Sequence, residues 1–575
     1  MKLPLLILTA LLCGIFFFSF TSNKKLGAES LVDYKKKNII SCSPDRLAIN
    51  RFLENREIQP MPGAGIHHWK ITNASDSAQF YFDQGMNMYY GFHIIESMAS
   101  FKKASQFDPQ NAMVWWAQAL AMGPNINDVG YAASPAAIEA TQKAIVLSGN
   151  ASAVEQMLIN AMAVRYSKDS AQLREKLNQD YVDEMNKAYR QFPSNEDLAV
   201  LYADALMLQH PWDLWNVDGT PKSWTPKIRE VLEKVLATSP NHPGANHYYI
   251  HVMEASPFVD KAIPSADRLG KLTPGLSHMV HMPSHIYLRV GQFEKGSQVN
   301  ENAIKQFELY SSLFPAVTEN AFLYKWHNLH FQTNCALLSG KYEYAKKTAL
   351  ALNETLDTTA LSMAPPMGSY IQYLNMTPVF INVRYGKWND LLFMPAPAEQ
   401  HIYATILYHF GKGMAYAALK NFNAAEKEKM QLKGLLKNKG LAVPIKPFSP
   451  ALEGGKCAEE MLTGFIKQKQ NKLADAITHL TKAAELEDNM TYNEPRDWML
   501  SPKQYLGTAY LAAKKYGEAQ NIFESDLKVN ADNIWSLYGL EQSLLKQKKI
   551  NEAAKVSHRL AKSLIGSDTK PGIML

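Results

Sequence analysis

Four cysteines in 575 residues, Cys13, Cys42, Cys335 and Cys457, stand too far apart to form a disulfide framework or a zinc ribbon. They read as free thiols, with at most one bridge. Charge of one sign is also scarce. The formal net charge is only +6, and no stretch gathers Lys and Arg into the footprint of a nucleic-acid binder. Strand-type alternation of useful length is missing, which excludes a β architecture. Long apolar runs are missing as well, apart from one at the start of the chain, so the remainder is expected to be soluble.

That run occupies residues 1–22. Lys2 leads into Leu3–Phe20, interrupted only by Pro4, Thr9, Gly14 and Ser19. It reads as a secretory signal peptide or an uncleaved N-terminal anchor. Cutting after Ser22 would place Phe20 where a small residue is wanted, and Leu12 is a poor neighbour for lipidation of Cys13. Lys24, Lys25 and Lys35–Lys37 follow the run and weaken a simple N-in anchor. The expectation is an extracytoplasmic protein, periplasmic or secreted, that meets the membrane only through this segment. Residues 23–76 are polar and loop-rich, with the turn-forming QPMPGAG at 59–65.

A repeat begins at Ala78. Tyr81, Gly85, Phe101, Ala104 and Pro109 fall at positions 4, 8, 24, 27 and 32 of a 34-residue helix–turn–helix unit, where a large residue must meet a small one for two helices to close. Further units are marked by Trp115, by starts at Pro243, Ser277 and Trp326, by Gly386 and Trp388, and by Gly413, Leu473, Gly507 and Gly539. Residues 132–207 are helical and amphipathic without tight spacing, and HPWDLWNVDGTPKSW (210–224) reads as a loop insertion. The predicted architecture is all-α: a tetratricopeptide-repeat superhelix, or α-solenoid, over 77–560 with loop insertions, ending in a polar tail at 561–575.

What the chain has in excess is histidine. Eight of its sixteen lie between His242 and His330. His247 and His251 are one helical turn apart, with Glu254 at i+7. His278, His281 and His285 have i,i+3,i+7 spacing, and His327 and His330 are i,i+3, so each set shares one face of its helix. His281 and His285 also stand 34 residues after His247 and His251. Counted from Pro243, Ser277 and Trp326, the candidates occupy positions 2, 5, 9 and 12, which in tetratricopeptide units line the concave groove.

Neutral imidazole is the commonest metal ligand, and a His pair at i,i+4 chelates one ion from a single helix. Many His, one Glu and no groove-facing Cys suit zinc, copper, iron or nickel better than calcium or magnesium. The candidate metal ligands are His247, His251, Glu254, His278, His281, His285, His327 and His330. Glu254 is also the candidate general base if the chain is an enzyme. His67 and His68 precede the repeats and are placed to fold back on the groove. Asp213 and Asp497 read as structural loop residues.

The segments HPGANHYYIH, HMPSHIYLRVG, HNLHF, GPNIN, PWDLW and YNEPRDW, with YFDQGMNMYYGF in the first repeat, resemble a family of exported bacterial tetratricopeptide-repeat proteins. The resemblance spans nearly everything after residue 60. It implies the repeat fold and export, and carries no activity. The family reads Asn-His where this chain has His93-Ile94, and His93 is not carried into the site.

The expected function is an exported repeat protein with a His-lined concave groove that holds a metal ion or small ligand. Phe82, Met86 and Tyr89 sit on groove positions of the first unit and offer a place for a peptide or protein partner. The alternatives are a metal-dependent hydrolase or oxidoreductase using the same His/Glu cluster, and a metal-free interaction scaffold. Binding is the default reading.

Overall fold

Helices start where the sequence supplies a cap. The side chain of Ser75 accepts from Ala78 N and begins Asp76–Tyr90, and Asn195 does the same for Glu196–Gln209. Ser152 and Glu155 form a reciprocal capping box at Ala153–Arg165. The computed structural model describes residues 58–126, 135–169, 171–313, 322–356, 358–444 and 448–574. The proposed leader with Cys13 lies outside them, as does Cys42 in the polar segment that follows.

The chain is an all-α superhelix of successive helix pairs. Asp76–Tyr90 packs on Ile94–Phe107, Ile402–Ala418 on Phe422–Leu435, Ala451–Lys469 on Leu473–Asn489, and Ile534–Lys546 on Ile550–Ser563. The small-against-large rule holds at the close approaches. A Cβ at Gly85 would run into the ring of Phe101, and one at Gly507 into Phe523, each sixteen residues further on. Among the described residues there is no β-strand; an isolated bridge joins Trp215 and Pro221, inside the predicted loop insertion. No helix among them is long and apolar enough to cross a membrane. Cys335 and Cys457 are buried free thiols.

Two hydrophobic cores form, one from Ile58 to Tyr310 and one from Leu288 to Leu560. The histidine-rich stretch lies at their seam. The C-terminal repeats also return to the middle of the chain: Arg289 Nε donates to Val529 O (3.1 Å) and Trp535 Nε1 to Leu337 O (2.8 Å). Asp568 accepts from the backbone N–H groups of Tyr342 (2.6 Å) and Glu343 (2.9 Å).

This closure changes the expected groove. Phe82, Met86 and Tyr89 are core residues, covered by the segment that carries Met61, Trp69 and Ile71, and Tyr89 Oη donates to Asp204 Oδ2 (2.9 Å). They present no open surface to a peptide. The histidine positions are buried too, because the 210–224 insertion and the 490–501 loop pack over them. The repeat register set the inward direction of these side chains, and the insertions roofed the space they point into.

Candidate metal centre

His242 caps the helix Pro243–Glu254, its Nδ1 accepting from Ala245 N (3.2 Å), and Pro243 supplies the pre-set φ of a first helical position. Along this helix His247 and His251 face one side. The next helix runs as Ser277–His281 and Pro283–Arg289 with Met282 in helical conformation between them, so His281 and His285 stay one turn apart across the proline. His327 comes from Phe322–Ser339.

Six of the seven candidate histidines form two sets of three. In one, His247 Nε2 lies 3.1 Å from His278 Nε2 and 3.1 Å from His251 Nε2. In the other, His281 Nε2 lies 2.7 Å from His285 Nε2 and 2.9 Å from His327 Nε2. Each set is built alike: positions 5 and 9 of one repeat plus position 2 of the next. No histidine of either set is more than 3% exposed. A phenylalanine packs against all three rings of each, Phe92 at 4.6–5.9 Å from His247, His251 and His278, and Phe331 at 4.7–5.1 Å from His281, His285 and His327. Phe92 and Trp212, whose ring meets His251 edge-on at 4.9 Å, both have left-handed φ, 56° and 62°. Bulky residues adopt that conformation only under tertiary constraint.

The outer nitrogens fix the tautomers. His247 Nδ1 faces Tyr90 O (2.5 Å), and His281 Nδ1 faces Asn300 Oδ1 (2.6 Å), whose amide is oriented by donation to Gly296 O (2.7 Å). His251 Nδ1 faces Glu254 Oε1 (2.9 Å) and His285 Nδ1 faces Glu254 Oε2 (2.7 Å). All four partners are acceptors, so each neutral ring carries its proton on Nδ1 and a bare lone pair on Nε2. With every ring neutral, the pairs His247/His251 and His281/His285 therefore bring two lone pairs to about 3 Å. A cation removes that repulsion. Outer acceptors on the ring N–H are also the usual support of a metal-bound histidine.

Electrostatics agree with neutral rings in most of the set. Burial holds His247, His278, His281 and His327 far below the ordinary histidine range, and His285 at about 4. His251 differs: burial opposes its charge, but the carboxylates of Glu254, hydrogen-bonded at 2.9 Å, and Glu494, at 3.5 Å, outweigh burial and raise it to about 9.

His330 is not brought into either set. Its ring meets Tyr373 edge-on at 5.5 Å, its Nε2 has no hydrogen-bond partner, and burial lowers it to about 3. Glu254 is buried among the histidines, but both oxygens face outer nitrogens. Tyr492 Oη adds a donor to Oε2 at 3.1 Å, so Glu254 orients rings rather than facing an ion directly. His67 joins Asp197 and His242 instead, and His68 pairs with Asp83 at the surface. The His67–Asp197–His242 group is a completed hydrogen-bond network. The Nδ1 of His242 accepts, so its Nε2–H points at Asp197 Oδ1 (3.3 Å), which also takes His67 Nε2 (2.8 Å) and Tyr90 Oη (2.8 Å).

Four supporting groups escaped the sequence reading: Glu494, whose Oε1 is 3.5 Å from His251 Nδ1 and 3.7 Å from His285 Nδ1, and Asn300, Phe92 and Phe331. Glu494 lies in the YNEPRDW segment, whose conspicuous composition was the available signal.

No family model and no curated protein matches the chain. Among solved structures it is similar to the human IFIT1 dimer with m7Gppp-AAAA, at 13% identity over 91% of this chain and 96% of that one, with a TM-score of 0.30. It is also similar to the APC/C hetero-tetramer Cut9–Hcn1, at 14% identity over 86% and 74%, with a TM-score of 0.27. Superpositions this loose say nothing about a ligand.

Proposed function

We propose that this chain is an exported metal-binding protein whose two tris-histidine sets each hold one transition-metal ion. The observation that carries the reading is the doubled convergence of Nε2 atoms, two in each set belonging to rings whose Nδ1 faces an outer acceptor. His247, His251 and His278 would hold one ion and His281, His285 and His327 the other, with Glu254, Glu494, Tyr90 O and Asn300 fixing the rings. All-imidazole ligation suits zinc, copper, iron or nickel.

Three protein ligands leave a coordination position open, which is the pattern of catalytic rather than closed structural zinc sites. That observation supports a metal-dependent enzyme as the second reading. In it the open position activates a small molecule, and Glu254 acts through the rings. A protein partner on the outer surface of the superhelix is compatible with either reading.

The test is metal loading of protein without a histidine tag. Wild type is expected to retain two ions per chain after desalting. The His281→Ala/His285→Ala variant is expected to retain one while keeping its helical circular dichroism. Wild type with no retained metal after incubation with zinc, copper, iron and nickel would defeat the proposal.

A further inference from the structure

We propose that the two tris-histidine sets act as one dinuclear copper centre that binds dioxygen between its ions. The inference rests on the metal reading above and adds the metal, the coupling and the ligand.

The two sets adjoin. The ring centroids of His251 and His285 are 5.9 Å apart and those of His278 and His281 6.2 Å apart, matching the 4.6–6.3 Å found between rings inside one set. Glu254 spans them, one oxygen on the outer nitrogen of each set. An ion bound in either set makes its His251 or His285 N–H a stronger donor and draws on the same carboxylate. The two ions are thus chemically linked before any bridging ligand arrives.

Charge selects the metal state. Six neutral imidazoles supply no charge, and the carboxylates at their outer nitrogens are Glu254 and Glu494. Arg289 directs its N–H groups to the carbonyls of Glu254, Ser256 and Val529 at the edge of the site. In a buried site a large uncompensated charge is costly. Two copper(I) ions match the two carboxylates. Two divalent ions leave an excess that a bridging dianion removes. Dioxygen makes that change itself: each copper(I) gives up one electron, the molecule takes both and becomes peroxide bonded to the two copper(II) ions, and no proton or leaving group moves. Copper(II) heads the affinity order for nitrogen sites. Phe92, Phe331 and Trp212 make the surroundings of the rings apolar, which suits a small apolar diatomic better than a hydrated anion.

The experiment uses the tag-free protein loaded with copper(I) under anaerobic conditions, desalted, and then exposed to dioxygen in an electrode cell, with electron paramagnetic resonance before and after. The expected result is two copper ions per chain, one dioxygen taken up per pair, and no resonance signal afterwards, because the two unpaired electrons couple. Two bound copper ions with no uptake, or with two isolated copper(II) signals, would overturn the inference and leave the metal reading standing. Two bound zinc ions with copper refused would do the same. No bound metal of any kind would remove both. Glu254→Gln accepts from only one of the two ring N–H groups and is expected to abolish uptake. His285→Ala, which leaves the other set intact, is expected to bind one copper and take up no dioxygen. Full uptake by a well-folded sample of either variant would also overturn the coupling.

Discussion

His327→Leu separates a metal ligand from a structural histidine by the sign of its effect. His327 is fully buried, its Nε2 faces the second tris-histidine set, and its Nδ1 has no hydrogen-bond partner among the described residues. A buried unsatisfied polar group costs about 1–3 kcal/mol. Leucine removes that group, and nothing accepts from Nδ1; what it gives up is the contact of Nε2 with His281 Nε2 (2.9 Å). Imperfect repacking of a side chain of similar bulk costs under about 1.5 kcal/mol. The metal-free variant is therefore expected to equal metal-free wild type or exceed it by up to about 2 kcal/mol. With metal the order reverses. An ion at a hundred times its Kd stabilises by about 2.7 kcal/mol per site, so wild type gains two such increments and His327→Leu one. The assay is urea unfolding followed by circular dichroism, with and without metal, after chelator treatment and dialysis. If His327→Leu lowers the midpoint equally in both conditions, the histidine is structural and the reasoning fails.

The remaining predictions concern residues around the centre. His330→Leu is expected to leave the metal count unchanged, as measured by elemental analysis. His330 is lowered to about 3 by burial, while the unfolded chain titrates it near 6.5. The folded state therefore binds fewer protons between those values, and stability falls as pH drops below 6.5. Between pH 6.5 and 5 the metal-free wild type should lose about 2 kcal/mol relative to His330→Leu; a gap that stays constant across that range would contradict the burial argument. Gly85→Ala drives a methyl into Phe101 and is expected to cost about 1–3 kcal/mol in thermal or denaturant unfolding. Cys335, whose thiol burial pushes up to about 12, should resist thiol reagents until the chain unfolds, as peptide mapping after labelling would show.

Much of this site was legible in the sequence because two periods coincide there. The helical turn put His247 with His251 and His281 with His285, and the 34-residue repeat placed the second pair in the same setting as the first. The repeat also explains what could not be read. In register, His330 is the equivalent of His247 and His281, yet its repeat has Asn334 at position 9, supplies the second set only through His327 at position 2, and leaves His330 turned to Tyr373. Crossing distances between helices are tertiary facts, and local periodicity does not fix them. Burial was missed for a related reason. Repeat positions give direction toward a concave face, but only the folded chain shows Trp212, Tyr492 and Glu494 closing over it. Glu254 was found as an acid beside the histidines, while its place on their outer nitrogens needed coordinates.

The measurement nearest to the central claim is X-ray absorption at the metal edge of the loaded, tag-free protein. The account predicts a first shell dominated by imidazole nitrogens, three per ion, at about 2.0–2.1 Å for zinc. A shell of oxygens, or one imidazole among several waters, would mean that the ion sits elsewhere and that the two histidine sets hold none.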